Sequence, residues 1–265
     1  MERLTATEER RRAVWRALDR VTDPELDDPI TDMGFVDGIE IAGGSVEVAF
    51  RLPTYWCSPN FAYLMAEDIR REVEALPWVE QARVCLQDHM FADKVNEGVN
   101  DGTGFDASFG DMASGDDLSA LRAKFEVKAF QRRQESVLLH LRAAGCTDAE
   151  IAAMTLAAFD LADFGEGEAA AQKPRYREML LAKGLAREGA DLAFRTWEGA
   201  PLTPAGMADY LGTLRQVRIN MEFNGALCRR LKSTRYKEAE LGEDGPGLVD
   251  FMLGRVPGQT PPACI

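Results

Sequence analysis

Apolar and polar positions alternate with clear periods along the first ninety residues. Val14, Trp15, Leu18 and Val21 recur at helical spacing and predict an amphipathic helix from about Ala6 to Val21. Asp23-Pro24 ends it, because proline drives the residue before it out of the helical region. The following stretch, DPELDDPITDMGFV, is rich in Asp and Pro and reads as a shaped loop. Phe35 to Ile41 is strand-like, with Val36, Ile39 and Ile41 apolar. Gly43-Gly44 signals a hairpin turn. Ser45 to Leu52 alternates strictly, with Val46, Val48, Phe50 and Leu52 on one face, as expected of a half-buried strand. PTYWCSPN breaks the alternation. A second helix is predicted from Pro59 to Leu76 on the apolar set Phe61, Leu64, Met65, Ile69, Val73 and Leu76. Val79 to Leu86 supplies a third strand. The order helix, strand, strand, helix, strand implies a small two-layer α+β domain.

Beyond residue 95 the pattern changes. NEGVNDGTGFDASFGDMASGDD is dense in Gly, Asp, Asn and Ser, and residues 96–117 read as a linker or long loop. Phe105 and Phe109 within it are too apolar for a fully solvated linker, so part of the segment is expected to dock. From residue 118 to 265 the chain reads as a mostly α-helical C-terminal region. Helices are expected over Leu118–Ala144, capped by Gly145, over Ile151–Leu161 after a start signal at Thr147, Asp148 and Glu150, over Arg175–Ala186, and over Thr203–Leu231. Leu192–Trp197 reads as a short strand or connector, and the tail VPGQTPPACI as extended. Three parts follow: residues 1–95, a linker over 96–117, and a helical region over 118–265.

Charge narrows the function classes. A formal net charge of −13 repels nucleic-acid phosphate and anionic lipid, so neither is expected as a partner. The opening MERLTATEERRRAVWRAL lacks the apolar core of a secretory signal, and no run is long enough to span a membrane. The cytoplasm is the expected compartment. The basic run Arg229–Arg235 suits a helix C-terminus, where cations complement the dipole, or contact with an acidic partner.

Candidate chemistry centres on cysteine. The five cysteines, Cys57, Cys85, Cys146, Cys228 and Cys264, are widely spaced and include no CxxC pair, which excludes a zinc ribbon or a self-contained cluster motif. Cys57 lies between a strand end and a helix start, where backbone N–H groups favour negative charge and hence the thiolate that binds metal. Cys85, Cys146 and Cys228 read as packed residues, and Cys264 as a tail thiol. His89 and His140 are the two histidines. His89 follows the third strand and is the weaker candidate ligand. No phosphate-binding loop, HExxH or GxSxG pattern occurs.

Four features in fixed order resemble the metal–sulfur (iron–sulfur) cluster assembly domain family, which includes maturation proteins of phenylacetate-type oxygenases. They are Asp23-Pro24-Glu25, then Pro29-Ile30-Thr31-Asp32-Met33-Gly34-Phe35-Val36, then a hairpin ending in Pro53-Thr54, then Cys57 with Pro59 at a helix start. The resemblance spans Arg11 to Leu86. The family sets proline directly after the cysteine, whereas Ser58 intervenes in this chain. PTYWCSPNF resembles a subgroup associated with bacterial binuclear-iron monooxygenases. The resemblance implies a non-enzymatic assembly or maturation factor that binds iron or an iron–sulfur cluster transiently at Cys57, with Asp23, Glu25 and Thr54 as supporting loop residues. The implied partner is a protein client such as a diiron monooxygenase subunit, with a homodimer as the default assembly. A metal-free chaperone or scaffold for an oxygenase subunit is the alternative.

Overall fold

The computed structural model describes residues 6–110 and 118–236. The chain divides into two compact units. The first contains residues 1–122 and takes up the chain again from Asn224; the second is Ala123–Phe223.

In the first unit, helix α1 (Ala6–Leu18) is followed by strands β1 (Val36–Ala42) and β2 (Ser45–Arg51), helix α2 (Pro59–Glu74) and strand β3 (Gln81–Gln87). The strands form one sheet in the order β1-β2-β3. β1 and β2 are an antiparallel hairpin, and β2 and β3 pair in parallel through the α2 crossover. The hairpin turns at Gly43, whose φ of 64° suits a residue without a Cβ. Register places Val46, Val48 and Phe50 beside Ala82, Val84 and Leu86. All six are buried, so one face of the sheet lies on the core, as the alternation requires. Against that face pack Val14 and Leu18 of α1 and Ala62, Ile69 and Val73 of α2. Trp15, expected on the apolar face of α1, is instead exposed. It neighbours Val14 in sequence, and adjacent residues on a helix point about 100° apart.

The 96–117 segment is not simply a linker. Helix α3 (Ala92–Asn100) runs into it, helix α4 (Phe105–Phe109) lies inside it, and residues 111–117 fall outside the described chain. α3 protects the open edge of β3. The Asn96 side chain donates to Leu86 C=O and accepts from Leu86 N–H, and Asn100 does the same with Val84, at 2.8–3.1 Å. Two carboxamides one helical turn apart thus take the place of a fourth strand at Val84 and Leu86. A Cβ on Gly98 of the same helix would lie 2.3 Å from Ser108 Oγ and 2.9 Å from the Tyr63 ring, so only glycine allows this approach. Phe105 and Phe109 stack at 4.5 Å and are buried in the same core. The composition that suggests a solvated loop therefore encodes close packing and edge capping.

The second unit is helical. It holds most of α5 (Leu118–Ala143), then α6 (Asp148–Ala153), α7 (Leu156–Leu161), α8 (Glu168–Ala182) and the first half of α9 (Met207–Arg235). Gly145, with φ of 95°, ends α5 as expected. The expected Ile151–Leu161 helix is two: Thr147 opens α6 with a capping box to Glu150, and Thr155 caps α7 separately. Leu192–Trp197 is a connector with isolated bridges at Leu192 and Arg195. The core is aromatic, built on Phe130, Phe159, Tyr176 and Phe194. Gln134 is a polar hub within it. The carboxamide donates to Tyr176 and to Arg195 C=O and accepts from Tyr210, so a fully buried amide is satisfied.

The 118–265 region is consequently not one domain. Its middle forms the second unit, and from Asn224 the chain belongs with the α+β unit. A boundary within a continuous helix leaves no compositional break to read. The VPGQTPPACI tail and Cys264 lie outside the described residues.

Candidate functional site

The site is built on the loop that joins β2 to α2. Pro59 stands at the first turn of α2 and Ser58 is its N-cap, so Cys57 immediately precedes the helix. The Cys57 thiol is partly exposed. Thr54 Oγ1 lies 3.1 Å from its Sγ, and Cys57 N–H donates to Thr54 C=O at 3.4 Å. The β3–α3 loop holds the other side. His89 is buried, its Nδ1 accepts from Phe91 N–H at 3.2 Å, and its Nε2 lies 2.8 Å from Cys57 C=O. With Nδ1 accepting, Nε2 carries the proton and donates to the Cys57 carbonyl. Burial pushes the His89 pKa down and favours this neutral form. His89 is therefore a brace for the Cys57 backbone rather than a ligand beside its sulfur. Met90 N–H donating to Tyr55 C=O ties the same two loops at a second point.

The Asp/Pro-rich loop before β1 is equally determined. Asp23 Oδ1 accepts from Glu25 N–H and Leu26 N–H at 2.9 and 3.0 Å, which makes the aspartate a turn cap. Asp23 N–H donates to Asp28 C=O, and Ile30 N–H to Val21 C=O, closing the loop on itself. Burial raises the Asp23 pKa to about 6 despite these donors. Glu25 is half-buried and accepts from Asn224 Nδ2 at 3.3 Å.

That last bond introduces residues that no local pattern indicates. The final turns of α9 lie along the α+β unit through a series of contacts. Arg229 pairs with Asp28 at 2.9 Å and also contacts Met33 Sδ. Arg235 pairs with Asp88 at 2.7 Å, and Tyr236 donates to the same carboxylate. The basic run thus serves acidic loops of its own chain. Between these anchors, Cys228 packs on the same core as Cys57 and is partly exposed. Burial first, and then the charges of Asp23, Cys57 and Glu25, push the Cys228 thiol up to about 11, with Arg229 pulling the other way. Cys228, Cys57, Asp23 and Glu25 therefore share one electrostatic neighbourhood. Sequence reading treats Cys228 as packed and misses Asn224. The one available signal is the Asn224–Cys228 spacing of a helical turn beside a basic run, and it names no partner.

Cys85 is buried in β3, and Cys146 packs on the core of the second unit. His140 stacks on Phe164 at 4.4 Å. Among the described residues, no three His, Cys, Asp or Glu side chains converge to hold a metal ion by themselves. None of the described helices is long and apolar enough to cross a membrane. Beside Cys57, Tyr55, Trp56 and Met90 are exposed, Trp56 at 72%.

In this small α+β domain, Cys57 is thus a partly exposed cysteine just before a helix, its backbone braced by His89. Residues 11–84 match the family model described as iron–sulfur cluster assembly protein. The match runs from within α1 into β3, so the first unit is similar to that family over this stretch. No curated protein matches the chain.

Proposed function

We propose that the protein binds iron or an iron–sulfur cluster transiently on the Cys57 thiolate and delivers it to a protein client, as an assembly factor and not a turnover enzyme. The observation that carries this reading is the position of Cys57. It is a partly exposed thiol beside the Thr54 hydroxyl, its backbone braced by His89, within the segment that matches the iron–sulfur cluster assembly family. Thiolate suits iron in clusters, and incomplete ligation by this chain suits cargo that must leave. Exposed Tyr55, Trp56 and Met90 offer an apolar rim for the client around the thiol. A client that is a binuclear-iron monooxygenase subunit is the finer form of the proposal, supported by the likeness of Pro53–Phe61 to the subgroup associated with those enzymes. A reducing cytoplasm would keep Cys57 available.

Transfer tests the reading. Protein loaded anaerobically with iron and sulfide is mixed with an apo-ferredoxin, and cluster appearance in the acceptor is followed by circular dichroism. Wild type should transfer faster than iron and sulfide free in the same buffer, and Cys57→Ala should fall to the free rate. Equal rates for wild type and variant would refute the carrier role. They would leave the metal-free chaperone or scaffold, for which a client complex should survive both chelator and Cys57 substitution.

A further inference from the structure

The end of α9 and the turn before β1 enclose a cavity of about 240 Å³, lined by Met33, Arg229, Lys232, Ser233 and Tyr236. All five belong to the first unit. The charge around it runs against the net −13 of the chain. Arg229 pairs with Asp28, Arg235 with Asp88, and Arg51, whose guanidinium lies 4.9 Å from the Tyr236 ring, with Asp37. Lys232 is a fourth cation, and no carboxylate among the described residues stands within ion-pair distance of it. It is half-buried, with its ammonium 5.4 Å from the Tyr236 ring. A Cβ on Gly34 would lie 3.7 Å from Lys232 Nζ, so the ammonium rests against the turn that carries Met33. Burial disfavours this charge; Asp37 supports it and Arg51 opposes it. Arg229 bonds Asp28 and Met33 through Nη1 alone, which leaves the N–H groups of Nη2 and Nε to donate elsewhere. Arg235 Nη1 is buried with no acceptor among the described residues. This end of α9 thus carries more cationic donors than the acidic loops beside it satisfy.

We propose that this cavity binds a small organic carboxylate, whose carboxyl group pairs with Lys232 and accepts N–H donors from Arg229 while its carbon chain rests on Met33. The carboxyl group supplies the counter-charge that Lys232 lacks, through charge-assisted hydrogen bonds that are stronger than neutral ones. Met33 is a buried, polarisable thioether, so the floor of the cavity suits a carbon skeleton better than inorganic phosphate. The volume lies below the roughly 300–1,000 Å³ of pockets for drug-sized ligands, which restricts the ligand to an acid of a few carbons. Tyr236 in the wall bonds Asp88, the neighbour of His89, so the ligand sits beside the loop that braces Cys57. The site stands independently of any role for Cys57.

The test titrates succinate into the full chain carrying 13C-methyl methionine, with the Met33 methyl resonance as the readout and sodium chloride of equal ionic strength as the reference. Wild type should show a saturable shift with succinate and none with chloride. Lys232→Gln should need about tenfold more succinate, as expected when one charge-assisted hydrogen bond is lost, and Lys232→Arg should recover most of the affinity. Arg230→Gln removes an exposed cation of α9 that does not line the cavity, and it should bind as wild type does. The Met65 methyl, buried in α2, reports in the same spectra that each variant is folded. No saturable shift in wild type, unchanged affinity in Lys232→Gln, or equal weakening in Arg230→Gln would each overturn the site. Binding of glutamate capped at both ends, with none of succinate, would overturn the free acid in favour of a protein side chain.

Discussion

His89 shows how one side chain fixes the candidate site without joining its chemistry. Its ring connects Phe91 N–H to Cys57 C=O, so His89→Ala leaves a part-buried donor and a part-buried acceptor without this partner. The expected cost is about 2 kcal/mol, measured as a lower urea midpoint with an unchanged slope. The pH dependence has a definite sign. The native pKa lies below the unfolded value of about 6.5 because burial disfavours the imidazolium. The unfolded chain therefore binds the extra proton first as pH falls. Stability from this group is complete above that unfolded value and is lost as pH drops from it toward the native pKa. Asp23 behaves in the opposite sense. Its native pKa of about 6 lies above the unfolded 3.8, so the native state binds the proton more tightly. Ionisation costs stability as pH rises through that window, reaching about 3 kcal/mol above it. Asp23→Asn keeps an oxygen to cap Glu25 N–H and Leu26 N–H. It should be more stable than wild type at pH 7 and equal to it near pH 3, as followed by urea unfolding at both values. A variant less stable at pH 7 would show that the carboxylate charge is satisfied in the native loop.

At the scale of elements, strict alternation in β2 and the 3.6-residue stripe of α2 made the order of the first unit legible, because both periods are local. The ends shift by a residue or two, as at Val36 and Glu74. What local pattern could not convey is the use of Asn96 and Asn100. Asparagine and glycine mark loops by composition, yet at a spacing of four on a helix two carboxamides can pair with a strand edge. Nothing in residues 96–100 says which strand is near. The structure predicts that Asn96→Leu orphans Leu86 N–H and C=O and destabilises the first unit by about 2–3 kcal/mol, with a greater tendency to aggregate through the freed edge of β3. A solvated linker would tolerate the change, so unaltered thermal unfolding would contradict the role given to α3. The break between α6 and α7 was hidden for a related reason: Met154-Thr155 carries no proline or glycine, and only the capping hydroxyl of Thr155 marks it.

Across the whole chain, the candidate site combines residues of four separate stretches: 22–34, 54–59, 88–91 and the end of α9. Cys57 was legible because a strand end, a cysteine and a helix-starting proline are contiguous, and because their order resembles a family whose model matches residues 11–84. Cys228 and Asn224 were not, since their partnership with Glu25 and Asp28 is a long-range pairing with no trace in local periodicity. The acidic loops at Asp28 and Asp88 and the basic end of α9 are complementary, but an acidic chain offers many carboxylates and composition alone does not select two. The central claim, that Cys57 holds the cargo of an iron–sulfur assembly factor, is tested most directly by anaerobic reconstitution of purified protein with iron and sulfide, comparing wild type with Cys57→Ser by visible absorption and iron content. The account predicts a sulfur-to-iron chromophore with bound iron in wild type and loss of both in the variant. A chromophore of equal strength in the variant, or none in either protein, would contradict it.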